Sequence, residues 1–152
     1  MELSIKGISV LIDDEDYELV SKYTWCNMQG RYMHAYIPGS GHRGKFVRMH
    51  RLILDAPQGV LVDHINGNGF DNRKSNLRLC TQSQNLMNRG MNKNNPYGLK
   101  GVKYDKRRNR YSASICRNYK SKFLGSYDTP QEAHLAYIAA VKEYHGDFAR
   151  VE

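Results

Sequence analysis

The chain has 152 residues, enough for one domain or two small ones, and neither could bury a large core unaided. A net charge of +8 and a pI near 9.4 point to a polyanionic partner, nucleic acid or an anionic membrane surface, while no apolar run is long enough to span a bilayer. Met1 leads directly into ELSIKGISV, which lacks the basic start and apolar core of a signal peptide, and Cys26, Cys80 and Cys116 show no CxxC spacing. These features predict a cytoplasmic protein with three free thiols and argue against a structural zinc site.

In chain order, Ser4 to Ile12 reads as a strand, followed by the acidic residues Asp13, Asp14, Glu15, Asp16 and Glu18. Acids at a helix start favour the macrodipole, so a helix carrying Tyr17, Leu19, Val20 and Tyr23 is expected, capped by Asp13 or Asp14. Trp25 to Ile37 and Lys45 to Arg48 alternate as strands do, and between them lies a loop whose basic residues His42, Arg43 and Lys45 could meet phosphate. RMHRLIL then reads as a helix, which makes His50 a packed structural histidine.

The densest signal lies between Val60 and Asn88. Val60 to Val62 suits a short buried strand, and Asn66, Gly67, Asn68 and Gly69 break it because these residues tolerate turn conformations. Leu77 to Leu79 returns as a second strand, and Thr81 followed by Gln84 has capping-box form, so a helix carrying Asn85 should start there. A hairpin folded on that helix would gather Asp63, His64 and Asn85. Asp and Asn oxygens suit a hard cation such as Mg²⁺ or Mn²⁺, and His64, with an ordinary pKa of about 6.5, suits a general base.

The run DHINGNGFDNRKSNLRLCTQSQN resembles the HNH endonuclease motif of phage and homing nucleases. The resemblance implies a ββα-metal module in which His64 is the base, Asp63 a metal ligand, and Asn76 the middle residue that fixes the loop and the His64 orientation. Asn85 stands where many members carry a metal-binding His, a subgroup pattern that exchanges a nitrogen ligand for oxygen.

After Asn88 the composition changes to RGMNKNNPYG, read as a linker whose Arg89 and Lys93 could follow a phosphate backbone. From Tyr97 onward three antiparallel strands are expected, with turns near 106–109 and 118–121. A helix capped by Thr129, with Pro130 and Glu132 in its first turn, should cover one face. The other face would then present Lys103, Arg107, Arg108, Arg110, Arg117, Lys120 and Lys122, interleaved with Tyr104 and Tyr111, a surface suited to DNA. His134 and His145 belong on the helix side.

GVKYD, RYSASI, FLGSYDTPQEAHLAY and HGDFA resemble the APETALA-type, or ethylene-response-factor, DNA-binding domain, which reads the major groove with its sheet. Tyr111 and Phe123 replace the usual Trp of plant members, and Cys116 a frequent Arg. The expectation is therefore an α+β protein: an HNH module with N-terminal elaboration over residues 1–88, a linker over 89–96, and a three-stranded sheet packed on one helix over 97–152. It would be a metal-dependent endonuclease acting on double-stranded DNA, nicking as a monomer or weak dimer, with no membrane partner. A DNA-binding regulator with a silent nuclease fold is the alternative, and an RNA-binding protein the third reading.

Overall fold

A computed structural model of the chain describes residues 1–28, 30–37, 45–92 and 94–151, and divides into two compact units, Met1–Thr81 and Gln82–Glu152. Both mix helices with small antiparallel sheets, an α+β construction. The helix bearing Asn85 and the stretch expected as a linker lie in the second unit. His42, Arg43 and Lys93 fall outside the described residues.

In the first unit, the segment expected as one strand is a hairpin, β1 (Glu2–Ile5) and β2 (Ile8–Leu11). Lys6 and Gly7 both take positive φ, 51° and 79°, which turns the chain tightly. A 3₁₀ turn at Asp14–Asp16 leads into the single-turn α1 (Tyr17–Ser21). Neither Asp13 nor Asp14 caps it through its side chain: Asp13 accepts from the Lys74 backbone N–H at 2.7 Å, and Asp14 meets the Met1 ammonium at 2.7 Å. The acids are spent on long-range partners.

The sheet of β3 (Trp25–Asn27), β4 (Met33–Ile37) and β5 (Lys45–Arg48) follows, then α2 (Met49–Ile53). Val10, Ile12, Val20, Trp25, Met33, Ala35, Met49, Ile53 and Leu77 form one core, and the Trp25 indole donates to the Val20 carbonyl at 2.8 Å. The last sheet of this unit pairs β6 (Leu61–His64) with β7 (Leu77–Cys80), aligning Asp63 with Arg78 and His64 with Leu77.

The second unit opens with α3 (Gln82–Met87). Its sheet runs β10–β9–β8, from β8 (Val102–Asp105), β9 (Arg110–Arg117) and β10 (Lys120–Tyr127). The turns fall where expected, with Asn109, Asn118 and Tyr119 at φ of 52°, 50° and 61°. α4 (Pro130–His145) begins in a complete capping box, Thr129 Oγ1 accepting from the Glu132 N–H and the Glu132 carboxylate from the Thr129 N–H. It buries Tyr137, Ala140 and Val141 against Ile115. Gly101 permits that contact, since a Cβ there would lie 2.1 Å from the Tyr137 ring. Cys26, Cys80 and Cys116 are free thiols. Among the described residues no helix is long and apolar enough to cross a membrane.

Candidate functional site

The Asn- and Gly-rich segment between β6 and β7 is a loop held by its own side chains. Asn66 Oδ1 accepts from the Asn68 N–H at 2.8 Å, and Asn68 Oδ1 from the Phe70 N–H at 3.0 Å, the local turns for which Asn is favoured. Asn76 closes the loop from its far end. Its Oδ1 accepts from the Asn66 N–H at 3.0 Å while its Nδ2 donates to Asn66 Oδ1 at 3.0 Å and to the Asp71 carbonyl at 2.8 Å. Asp71 is clamped by Arg73 at 2.7 and 2.8 Å, which holds its carboxyl below the ordinary range.

The loop is stitched to the N-terminal hairpin. Leu11 donates to the Phe70 carbonyl at 2.9 Å, and the Asn72 N–H donates to the Leu11 carbonyl at 2.7 Å. The acidic cluster holds the other flank, with the Lys74 ammonium 2.6 Å from Glu15 and 3.0 Å from Asp16. Gly69 lies under Tyr32, where a Cβ would come within 2.0 Å of the Arg31 carbonyl oxygen.

Above this base sit Asp63 and His64, both buried at the end of β6. Asp63 Oδ2 accepts from Arg78 Nε at 2.9 Å and Nη2 at 2.8 Å. The His64 ring stacks on Tyr32 with centroids 5.7 Å apart, meets His50 edge-on at 5.0 Å, and places Nε2 3.4 Å from Asn72 Oδ1. Burial pushes the His64 pKa down, opposed by the Asn72 hydrogen bond and the Asp63 and Asp71 charges. The ring is therefore neutral near pH 7, the form in which imidazole accepts a proton. His50 is pushed further, to about 3, by burial and by the neighbouring His64, Arg48, Arg51 and His34.

Asp63, His64 and Asn76 thus share one site in the first unit, whereas Asn85 lies half-buried on α3 in the second. Among the described residues no cluster of three or more His, Cys, Asp or Glu could hold a metal alone. Within the first unit, the buried Asp63 carboxylate is an oxygen donor of the kind a hard divalent cation takes. A cation would share that carboxylate with Arg78. Tyr32, Asn72 and Arg78 had no role in the sequence reading. Nothing in the sequence alone sets Asn72 apart from the other asparagines of the loop, and only cross-strand register brings Arg78 to Asp63.

In the second unit the strand register corrects the expected interleaving of cations and tyrosines. Ala113 and Ile115 lie buried on the α4 side. Alternation and cross-strand pairing place Tyr111, Tyr104 and Lys122 on that same side. Lys122 confirms this, its ammonium lying 4.5 Å from the Tyr144 ring centroid of α4. Tyr104 and Tyr111 pack together at 5.0 Å, and Tyr97 meets Tyr111 at 5.3 Å.

The open face instead carries Lys103, Arg110, Ser112, Ser114, Cys116 and Phe123. Phe123, across from Ser114, is 60% exposed, an aromatic ring held toward solvent. Arg110 Nε lies 3.1 Å from Asp128. Arg107 and Arg108 project from the 106–109 turn, where both backbone N–H groups bond Asp105 Oδ1 at 3.0 and 3.3 Å. Arg117 and its cross-strand partner Lys120, expected on the DNA face, instead have the parity of Ile115 and Lys122 and so lie on the α4 side beside the second turn. His134 and His145 face backbone carbonyls, those of Lys100 and Cys116, each at 2.9 Å.

Comparison with known proteins agrees with both halves of this description. A family model for HNH endonucleases matches residues 55–87, and one for the AP2 domain matches residues 98–147. An uncharacterized HNH endonuclease of Acanthamoeba polyphaga mimivirus is 31% identical over 95% of this chain and 74% of its own length. Protein 3.8 of Escherichia phage T7 is 33% identical over 62% of this chain and 77% of its own. No solved structure matches the chain. With the loop of Asp63, His64 and Asn76 in the first unit and a helix-backed AP2 sheet in the second, the chain belongs to the HNH endonuclease family and carries an AP2 DNA-binding domain.

Proposed function

We propose that the protein is a divalent-metal-dependent endonuclease of the ββα-metal type that hydrolyses phosphodiester bonds in duplex DNA. The observation that carries this reading is His64, a buried neutral imidazole beside a buried carboxylate, on a loop whose hydrogen bonds are built in advance. His64 takes a proton from the attacking water, which adds to phosphorus in line with the leaving oxygen. Asn76 holds the loop on which His64 stands. Asp63 and Asn85 would hold Mg²⁺ or Mn²⁺, which when bound offsets charge on the scissile phosphate and the leaving oxygen.

The second unit positions the duplex. On its open face Lys103 and Arg110 would meet phosphates and Phe123 bases or sugars in the major groove, a groove wide enough for a β-ribbon. The turn cations Arg107 and Arg108 extend the positive border, so salt should weaken binding steeply. One HNH motif and one asymmetric reader per chain imply attack on one strand per binding event.

Incubation of supercoiled plasmid with the purified protein, with and without Mg²⁺, tests the reading. Open-circular DNA should appear first, and only with the metal present. Linear DNA without that intermediate would replace the nicking monomer by a dimer that cuts both strands, and intact plasmid under all metal conditions would overturn the enzyme assignment.

A further inference from the structure

Four asparagines line the loop around His64, and three of them bond backbone groups of the loop. Asn66 and Asn68 accept from N–H groups two residues on, and Asn76 bridges Asn66 and Asp71. Asn72 differs. Its side chain bonds no backbone group among the described residues, and its one partner is the His64 ring, Oδ1 lying 3.4 Å from Nε2. Its Nδ2 is buried with no hydrogen-bond partner among the described residues, and the whole residue is 0% exposed.

An apolar side chain of similar volume would fill that space without burying an unpaired amide donor, so packing alone gives no reason for Asn at this position. What Asn supplies, and a hydrocarbon does not, is a carbonyl oxygen aimed at Nε2. Its placement is rigid: the Asn72 backbone N–H is bonded to Leu11 of β2, outside the loop itself. A neutral imidazole carries one proton, and a carbonyl facing Nε2 favours the tautomer protonated there, leaving the lone pair on Nδ1.

We infer that Asn72 is a positioning residue that fixes the His64 tautomer, directing the Nε2 proton to its own carbonyl and reserving Nδ1 as the basic atom. The inference rests on the proposed role of His64 as general base. It adds a requirement to it: the ring must be neutral, correctly turned, and protonated on one chosen nitrogen.

The test is a two-bond ¹H–¹⁵N correlation spectrum of the full chain, ¹⁵N-labelled in histidine and recorded at pH 8, with His64 assigned by the His64→Gln variant. Wild-type protein and Asn72→Asp should show His64 protonated at Nε2, with a proton resonance slowed in exchange. Asn72→Leu, which keeps the branched shape and removes the acceptor, should lose that resonance and cut plasmid roughly 10-fold more slowly or worse, the scale on which orienting partners act. Asn72→Asp should restore most of the rate. A His64 proton on Nδ1 in the wild-type protein overturns the inference, as does an Asn72→Leu protein with wild-type resonance and rate. The wild-type spectrum decides alone if Asn72→Leu does not fold. Cleavage by His64→Ala at the wild-type rate would instead strike the general-base reading and leave the tautomer assignment standing.

Discussion

Arg78 and Asp63 face each other across β6 and β7, and the guanidinium places two donors, at 2.8 and 2.9 Å, on one carboxylate oxygen. Both side chains are largely buried, so removing the cation takes two charge-assisted hydrogen bonds from a carboxylate in a poorly solvated place. Arg78→Met should destabilise the protein by about 3 kcal/mol in the absence of metal. Divalent cation should then recover more of the melting temperature in the variant than in the wild type. Thermal unfolding with and without Mn²⁺ measures both, and equal melting temperatures for the two proteins without metal would show that the pair contributes nothing.

Assigning the base to His64 and the ion to Asp63 and Asn85 predicts two distinct failures. His64→Ala should abolish plasmid cleavage and retain DNA affinity. Asp63→Ala and Asn85→Ala should lower activity in a way that excess Mn²⁺ partly reverses. His50→Ala serves as the comparison in the same gel, because His50 is buried behind His64 and is not expected to touch water or phosphate.

The two faces of the second unit's sheet can be separated by affinity. Arg110→Ala and Phe123→Ala, on the open face, should weaken DNA binding, and Arg110→Ala should lower the salt slope by about 0.9 if it neutralises one phosphate. Lys122→Ala should bind almost as wild type, because its ammonium is engaged with Tyr144 on the α4 side. Fluorescence anisotropy over a salt series distinguishes the faces, and equal losses for Lys122→Ala and Arg110→Ala would contradict the division.

His50 predicts an acid sensitivity. Its pKa falls from 6.5 in the unfolded chain to about 3 in the folded protein, so between those values the unfolded chain binds more protons. The contribution is complete above about pH 6.5 and is lost as pH falls toward 3, amounting to roughly 5 kcal/mol at most. Denaturant melts at pH 7 and pH 4.5 should show the loss, and His50→Phe, which cannot titrate, should show a smaller difference.

Much of this was legible in the residues because the deciding interactions are local. The Thr129–Glu132 capping box, the Asn-rich turns and the Asp63–His64 pair announce themselves within a few positions. What was not legible depends on register or long-range pairing. Lys6 and Gly7 turn the first strand back where apolar alternation alone suggests continuation. A strand's period of two does not say which parity faces the helix, so cations and tyrosines were assigned to one surface although Lys122 and Tyr111 lie on the other. The acids after β2 looked like caps, and their partner is Lys74, whose position near them is set by tertiary structure.

The seam between Leu11 and Asn72 bears on how such a nuclease can be dissected or transplanted. The residues recognisable as HNH begin at 55, yet the loop that carries His64 borrows an acceptor and a donor from a strand more than fifty positions earlier. Grafted alone into another scaffold, that segment would retain every signature residue and still lack the mould that seats Phe70 and Asn72. A minimal portable nuclease cut from this protein must therefore include the opening hairpin and its acidic turn.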